Sequence, residues 1–361
     1  MPDLSLNQRI ARAFGTPAVV VDLDVVERNI ARVQALCDAR GVANRPHIKT
    51  HKSPLFARMQ VNAGAKGLTC QKLGEAEVMA AAGFDDLFVT YNLLGPDKIG
   101  RLGALRRSID ISVAADNPVV VAGLPEAAQI AGRPLDVLVE CDTGRKRAGV
   151  ETPGEAIALA RAIAASPGLR FAGLMVYPPE DGAALTNRFI DEVKQGLAAH
   201  GLSVERVSNG GTPNLLTLGA IPAATEHRAG TSIFNDRMMM AAGWASLADC
   251  ALSVVTTVVS RAGPERGILD AGSKIFTSDT GWGLTGHGYI LEHPEAELAR
   301  FAEEHGFLDL SRCNNRPGVG AVVRVIPNHV CVVVNVVGEI ILVRGDEIIG
   351  PHHIEARGLS R

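Results

Sequence analysis

Short apolar runs alternate with alanine-rich amphipathic stretches over most of the first 240 residues, and this alternation confines the chain to a parallel α/β fold. The runs read as strands at Pro17 to Asp22, at the segment carrying Lys49, and at Gly67 to Cys70 and Asp86 to Thr90. Asp110 to Val113, Leu135 to Glu140, Gly173 to Val176, Val204 to Ser208 and Thr225 to Ala229 continue the series. Between them lie helical patterns. Asp24 is placed to cap a helix reaching about Ala39, and Pro54 opens another after Ser53. About eight βα units make a closed (β/α)8 TIM barrel the most economical fold. A doubly wound open sheet is the rival, but no Gly-x-Gly-x-x-Gly follows the first run.

After about Met240 the pattern changes. Runs at Ala251 to Ser260, Gly267 to Asp270, Gly320 to Ile326, Val330 to Val337 and Glu339 to Val343 are separated by turn signals such as Gly263-Pro264 and Gly345-Asp346. The expected organisation is a barrel over residues 12–240 and a C-terminal all-β domain over 241–361, joined by residues 1–11.

The 361 residues carry a formal net charge of −3, so electrostatics gives no reason to expect nucleic acid or an anionic membrane as partner. No apolar run is long enough to span a bilayer. The start, to Phe14, has no apolar signal core. Six scattered cysteines without a CxxC pair suit a reduced cytoplasmic protein.

The chemistry gathers at expected strand ends. Arg45-Pro46-His47-Ile48-Lys49-Thr50-His51-Lys52 puts His47, Lys49 and His51 on one face if the segment is extended. A lysine in such company can form a Schiff base. Asp142-Thr143-Gly144 leads to Arg145 and Arg147, and Tyr177 follows another run. Gly210-Gly211-Thr212 and Gly230-Thr231 lie after consecutive late runs, the usual phosphate corner of such barrels. A phosphate cradle with a strand-end lysine suggests pyridoxal phosphate. In the β domain, His329 and Cys331 would share one strand face, a donor pair suited to a divalent metal. Taken alone, such a tripeptide is more often core packing than a metal site.

Together with Thr16-Pro17, Gly74-Glu75-Ala76-Glu77, Arg147-Ala148-Gly149-Val150, Asp270-Ala271-Gly272-Ser273-Lys274 and Ala356-Arg357-Gly358, these motifs resemble the D-threonine aldolase and D-serine dehydratase family. That family has the alanine-racemase fold type of pyridoxal phosphate enzymes, and the resemblance spans nearly the whole chain. It implies that Lys49 carries the cofactor and that Gly210, Gly211, Thr212, Gly230 and Thr231 hold its phosphate. It places Arg147 at the phenolic oxygen, Tyr177 near the pyridine nitrogen, and His329 and Cys331 on a divalent metal (Mn, Zn, Mg or Co). The substrate would be a D-3-hydroxy amino acid and the assembly a homodimer. His51 is the candidate for proton handling.

Aldolase and dehydratase differ in which bond breaks. The resemblance leans to D-threonine aldolase through the segments around Gly210 and Ile233-Phe234-Asn235-Asp236. Cys331 leans to a D-serine or D-threo-3-hydroxyaspartate dehydratase. A non-catalytic pyridoxal-phosphate-binding protein is a third reading, but such single-barrel proteins lack a β domain. A racemase would need a second base, for which only Tyr91 and Tyr289 remain.

Overall fold

The computed structural model describes residues 4–361. By its internal contacts the chain forms two units. The barrel unit comprises Ala31–Lys49, Ser53–Gly230 and Leu359–Arg361, and the β unit comprises residues up to Ile30, Thr50–Lys52 and Thr231–Gly358.

Eight parallel strands build the barrel: Ala43–Asn44, Leu68–Cys70, Asp86–Val89, Asp110–Ala115, Leu135–Cys141, Leu169–Val176, Arg206–Gly210 and Glu226–Arg228. The first pairs with the last, and beyond it His47 bridges to Thr69. Thr69 N–H donates to Pro46 O at 2.8 Å and Ile48 N–H to Thr69 O at 2.9 Å, which closes the ring. Helices with ordinary start signals surround it. Ser53 caps the helix Pro54–Asn62, and Thr152 with Glu155 forms a capping box on Pro153–Ala165. Outward-facing strand residues such as Leu135, Val137, Val139, Leu174 and Val207 pack on those helices in one large core.

Half of the lumen is apolar, filled by Phe88, Ala114, Leu138, Ala172 and Met175. The other half is ionic. Arg45 clasps Asp86 with two bonds, at 2.6 and 3.0 Å, and donates Nε–H to Glu226 at 2.9 Å. Glu226 also accepts from Arg206 at 3.0 Å and from Ser208 Oγ at 2.6 Å. Burial alone would raise the Glu226 carboxyl, but Arg45 and Arg206 outweigh it and hold it down at about 2.

The β unit centres on a nine-stranded sheet. Its long strand Leu252–Arg261 pairs antiparallel with Arg266–Leu269 and with Val322–Pro327. Strands at Gly288–Ile290, Glu297–Phe301, Gly306–Asp309 and Glu347–His353 join it without a clear apolar alternation in the sequence, and Ala18–Asp22 and Glu339–Arg344 complete it. Among the described residues no helix is long and apolar enough to cross a membrane.

Two expectations are corrected here. The run at Pro17 to Asp22 is a strand, Ala18–Asp22, but not a barrel strand. It pairs antiparallel with Leu252–Arg261 and parallel with Glu339–Arg344 in the β unit. Val19, Val20 and Val21 are all buried, and a strand covered on both faces carries no alternation that names its partner. The β unit therefore takes in far more of the N-terminal segment than residues 1–11, of which 1–3 lie outside the described part. The helix Leu23–Asp38 is capped by Asp22, which accepts from Asp24 N–H at 2.9 Å, and not by Asp24. The second correction is Val330–Val336, which is a helix and not a strand. Val330, Val333 and Val334 are its buried residues, a helical spacing that outweighs the β preference of valine.

Candidate active site

The barrel strands end in a cluster of polar side chains. Directly after His47 the chain turns: residues 48–51 are turn, and Lys52 has φ 53 in the left-handed region. The expected shared face of His47, Lys49 and His51 therefore does not form. A strand that stops at the barrel rim cannot carry its alternation three residues further. Instead His47 acts on Lys49 through the backbone. Its Nδ1 accepts Lys49 N–H at 3.3 Å, so Nε2 bears the proton and donates to Gln71 Oε1 at 3.1 Å. Burial, and then the charges of Lys49, Arg228 and Arg147, hold the imidazole well below its ordinary pKa. His47 is thus a neutral brace for a half-buried lysine. His51 is fully buried and belongs with the β unit.

Arg147 lies 3.7 Å from Glu140, and its guanidinium sits 5.0 Å from the centre of the Tyr177 ring. Arg145 packs on the same ring at 4.3 Å and donates to Pro178 O and Glu180. Tyr177 in turn presses on the glycine loop. A Cβ on Gly211 would stand 2.3 Å from Tyr177 Cε2, and its φ is +106, so only glycine fits. Gly210 pairs in register with Arg228, and a Cβ there would meet that guanidinium at 2.7 Å. Gly211 N–H is taken by Arg228 O at 3.1 Å, and Gly211 O accepts from His227 Nε2 at 3.0 Å. Gly230 follows on the neighbouring strand end, and Thr212 is buried.

Arg228 opens the segment Arg228-Ala229-Gly230-Thr231, whose sequence gives its side chain no role, and it lies beneath this loop. It donates to Ser208 Oγ at 2.7 Å and Val176 O at 3.1 Å, and burial pulls it down to about 10 against the pull of Glu226 and Glu140. Among the described residues, Asn209 Oδ1 and Nδ2, Asn214 Oδ1 and His227 Nδ1 are buried without hydrogen-bond partners. Orphaned polar atoms crowded about a glycine loop and a positively charged rim fit an anionic, phosphate-bearing cofactor. The half-buried Lys49 amine fits its carbonyl carbon.

In the β unit, His329 is the residue before the helix Val330–Val336 and Cys331 lies in its first turn. The two still meet: the imidazole ring hydrogen-bonds Cys331 Sγ. Burial works against the imidazolium, but Cys331 and the carboxylate of Asp236 outweigh it and push His329 up to about 11. Cys331 Sγ also lies 3.2 Å from Thr50 Oγ1 and 3.7 Å from Thr231 Oγ1. A nitrogen and a sulfur donor that share a proton form a donor set which suits a divalent cation. No group of three or more His, Cys, Asp or Glu is arranged for a metal among the described residues, so this pair would leave positions open. Asp236 was also missed. Its bond to His329 crosses 93 residues, and no local pattern announces it.

A family model described as alanine racemase, N-terminal domain, matches residues 21–238, and one described as putative serine dehydratase domain matches 251–343. A D-threonine aldolase of Arthrobacter sp is 35% identical, covering 96% of this chain and 93% of its own. A solved D-threonine aldolase from Filomicrobium marinum superposes with a TM-score of 0.88 at 30% identity, covering 96% of both chains. The D-threo-3-hydroxyaspartate dehydratase of Delftia sp. (strain HT23) is 33% identical over 88% of this chain and 90% of its own. A dehydratase of that name is solved as a cysteine-to-alanine mutant in the metal-free form (TM-score 0.86, 28% identity, 97% and 99% covered).

Proposed function

This chain belongs to the D-threonine aldolase and D-3-hydroxyaspartate dehydratase family of the alanine-racemase fold, and from that premise we propose a pyridoxal-phosphate- and metal-dependent lyase for D-3-hydroxy amino acids. The main reaction in this reading is cleavage of D-threonine to glycine and acetaldehyde. One observation carries the metal-assisted part: the hydrogen-bonded His329 and Cys331, a two-donor set that would leave coordination positions for other ligands.

Pyridoxal phosphate supplies, when bound, an electron sink for the pair released at Cα, and a divalent cation supplies a Lewis acid for the β-hydroxyl. Lys49 would hold the cofactor's carbonyl carbon, with its backbone fixed by neutral His47. Arg147 would meet the phenolic oxygen and Tyr177 the region of the pyridine nitrogen. Gly210, Gly211, Thr212, Gly230 and Thr231 would take the phosphate. Since Gly211 N–H is already bonded to Arg228 O, the loop's other groups carry that contact. His329 and Cys331 would hold the metal. In the retro-aldol direction the β-hydroxyl loses its proton, the Cα–Cβ bond breaks, the aldehyde leaves and Cα is reprotonated. His51 and Lys49 are the proposed proton carriers. A cytoplasmic homodimer completes the reading.

A dehydratase is the second reading, and Cys331 favours it. The dehydratase of the comparison has been studied as histidine and cysteine mutants two positions apart, the spacing of His329 and Cys331. The test is product analysis on D-threonine with the cofactor- and Mn2+-loaded protein. Glycine with acetaldehyde supports the aldolase, 2-oxobutanoate with ammonia the dehydratase, and no turnover of either kind refutes both.

A further inference from the structure

Asp236 is fully buried, and both oxygens of its carboxylate are used. Oδ1 accepts Met239 N–H at 2.9 Å and caps the short helix Arg237–Ala241. Oδ2 accepts Val330 N–H at 3.1 Å and faces His329 Nδ1 at 3.0 Å. The next two residues act on the same stretch. Arg237 Nη1 donates to Asn328 Oδ1 at 2.6 Å, and Met238 N–H donates to Asn328 O at 3.2 Å. Residues 236–238 thus splint the consecutive residues Asn328, His329 and Val330.

The chemistry at Oδ2 is one-sided. A carboxylate accepts and does not donate, so the imidazole nitrogen facing it must carry a proton. Val330 N–H donates to the same oxygen, which fixes the position of the carboxylate. When His329 is neutral, its free lone pair is therefore on Nε2, the nitrogen left for Cys331 and for a cation.

We propose that Asp236 is the positioning residue of the metal pair: it locks His329 in the Nδ1–H tautomer, so that Nε2 is the nitrogen offered, together with Cys331 Sγ, to a divalent cation. The inference rests on the metal reading of His329 and Cys331. An outer partner of this kind typically sets metal affinity by about 10–100-fold. An amide in its place would turn an N–H group toward Nδ1–H and Val330 N–H, or rotate and lose the cap on Met239.

The experiment uses the full-length, cofactor-loaded protein stripped of metal. Zn2+ and Mn2+ affinities are measured by competition with a chromophoric chelator for the wild type, Asp236→Asn and Asp236→Glu. The visible cofactor band and the metal-free melting temperature are recorded beside them. The expected result is binding weakened about 10–100-fold in Asp236→Asn and partly restored in Asp236→Glu, with the cofactor band unchanged. A lower melting temperature with wild-type metal affinity would assign Asp236 a purely structural role and overturn the proposal. Should Asp236→Asn not fold, 15N spectra of histidine-labelled, zinc-loaded wild type decide: Nε2 ligation with Nδ1–H supports the proposal, and Nδ1 ligation overturns it. If the wild type itself binds neither ion, it is the metal reading of the pair that fails.

Discussion

The ionic half of the barrel lumen and the splinted His329–Cys331 pair of the β unit both hold buried charge, but by opposite routes. In the lumen, Arg45, Asp86, Arg206, Glu226 and Arg228 stand on or beside regular strands: Arg45 and Arg206 both meet Glu226 from neighbouring parallel strands, and Arg45 reaches one strand further to Asp86. In the β unit, His329 and Cys331 sit where a strand gives way to a helix, and their support comes from a loop residue 93 positions away. A repeated supersecondary unit lets a local pattern stand for a global position. An irregular crossing does not, because nothing in the neighbouring residues records who arrives from elsewhere.

The sharpest way to break this comparison is to remove one chemical anchor from each side. Lys49→Ala is expected to abolish the visible cofactor band and to lower turnover by roughly 10²–10⁴-fold or more. His329→Ala, or thorough chelation of the wild type, should remove activity to a similar degree while the band persists. Full activity after chelation would end the metal assignment.

Next in size is the lumen. Glu226→Gln leaves Arg45 and Arg206 each short of a charge partner, and breaking a buried pair in this way costs about 3–5 kcal/mol. Urea unfolding measures it, and a loss below about 1 kcal/mol would mean that water already solvates the network. The same network sets the acid limit. His227 is held at about 4 in the fold, mainly by burial, against an ordinary 6.5. A base with a depressed pKa binds fewer protons folded than unfolded, so its stability contribution is full above 6.5 and lost as pH falls toward 4. Glu226, held at about 2, contributes above 4.5 and loses it as pH falls toward 2. Stability should therefore decline in two stages below neutrality, and Glu226→Gln should flatten only the lower one.

Smaller effects sharpen the local arguments. Gly211→Ala forces a Cβ against Tyr177 at a left-handed φ and should cost about 1–3 kcal/mol and weaken cofactor binding. Fluorescence titration with pyridoxal phosphate reads the second part. Smallest is Val336→Ala, at an exposed position of the helix Val330–Val336. Alanine is the better helix former by about 0.5 kcal/mol or less, so the variant should be neutral or slightly more stable; a clear loss would favour an extended segment.

Legibility followed the same divide. Seven of the expected barrel runs, from Gly67 to Ala229, are strands of the ring, and the glycines after them stand where glycine alone fits, at Gly211 through Tyr177. The strand Ala18–Asp22 was visible as a strand, but its partners Val254 and Ile341 lie more than two hundred residues away. The valines at 330, 333 and 334 carried a helical spacing that their β-branched chemistry obscured. Arg228 beneath the glycine loop and Asp236 behind His329 both lay in recognisable segments, but nothing local assigned either side chain its partner.

What the amino-acid order determined alone was periodicity and chemistry: a βα repeat that must close, a lysine at a rim, glycine pairs, a histidine two residues from a cysteine. These follow from local sterics and from which faces are apolar. Tertiary structure decided which nitrogen of a histidine bears the proton, which carboxylate holds it, and where a doubly buried strand is paired. Those outcomes depend on hydrogen bonds between residues far apart in the chain, and a buried polar group takes its tautomer, charge and partner from whatever the fold sets beside it.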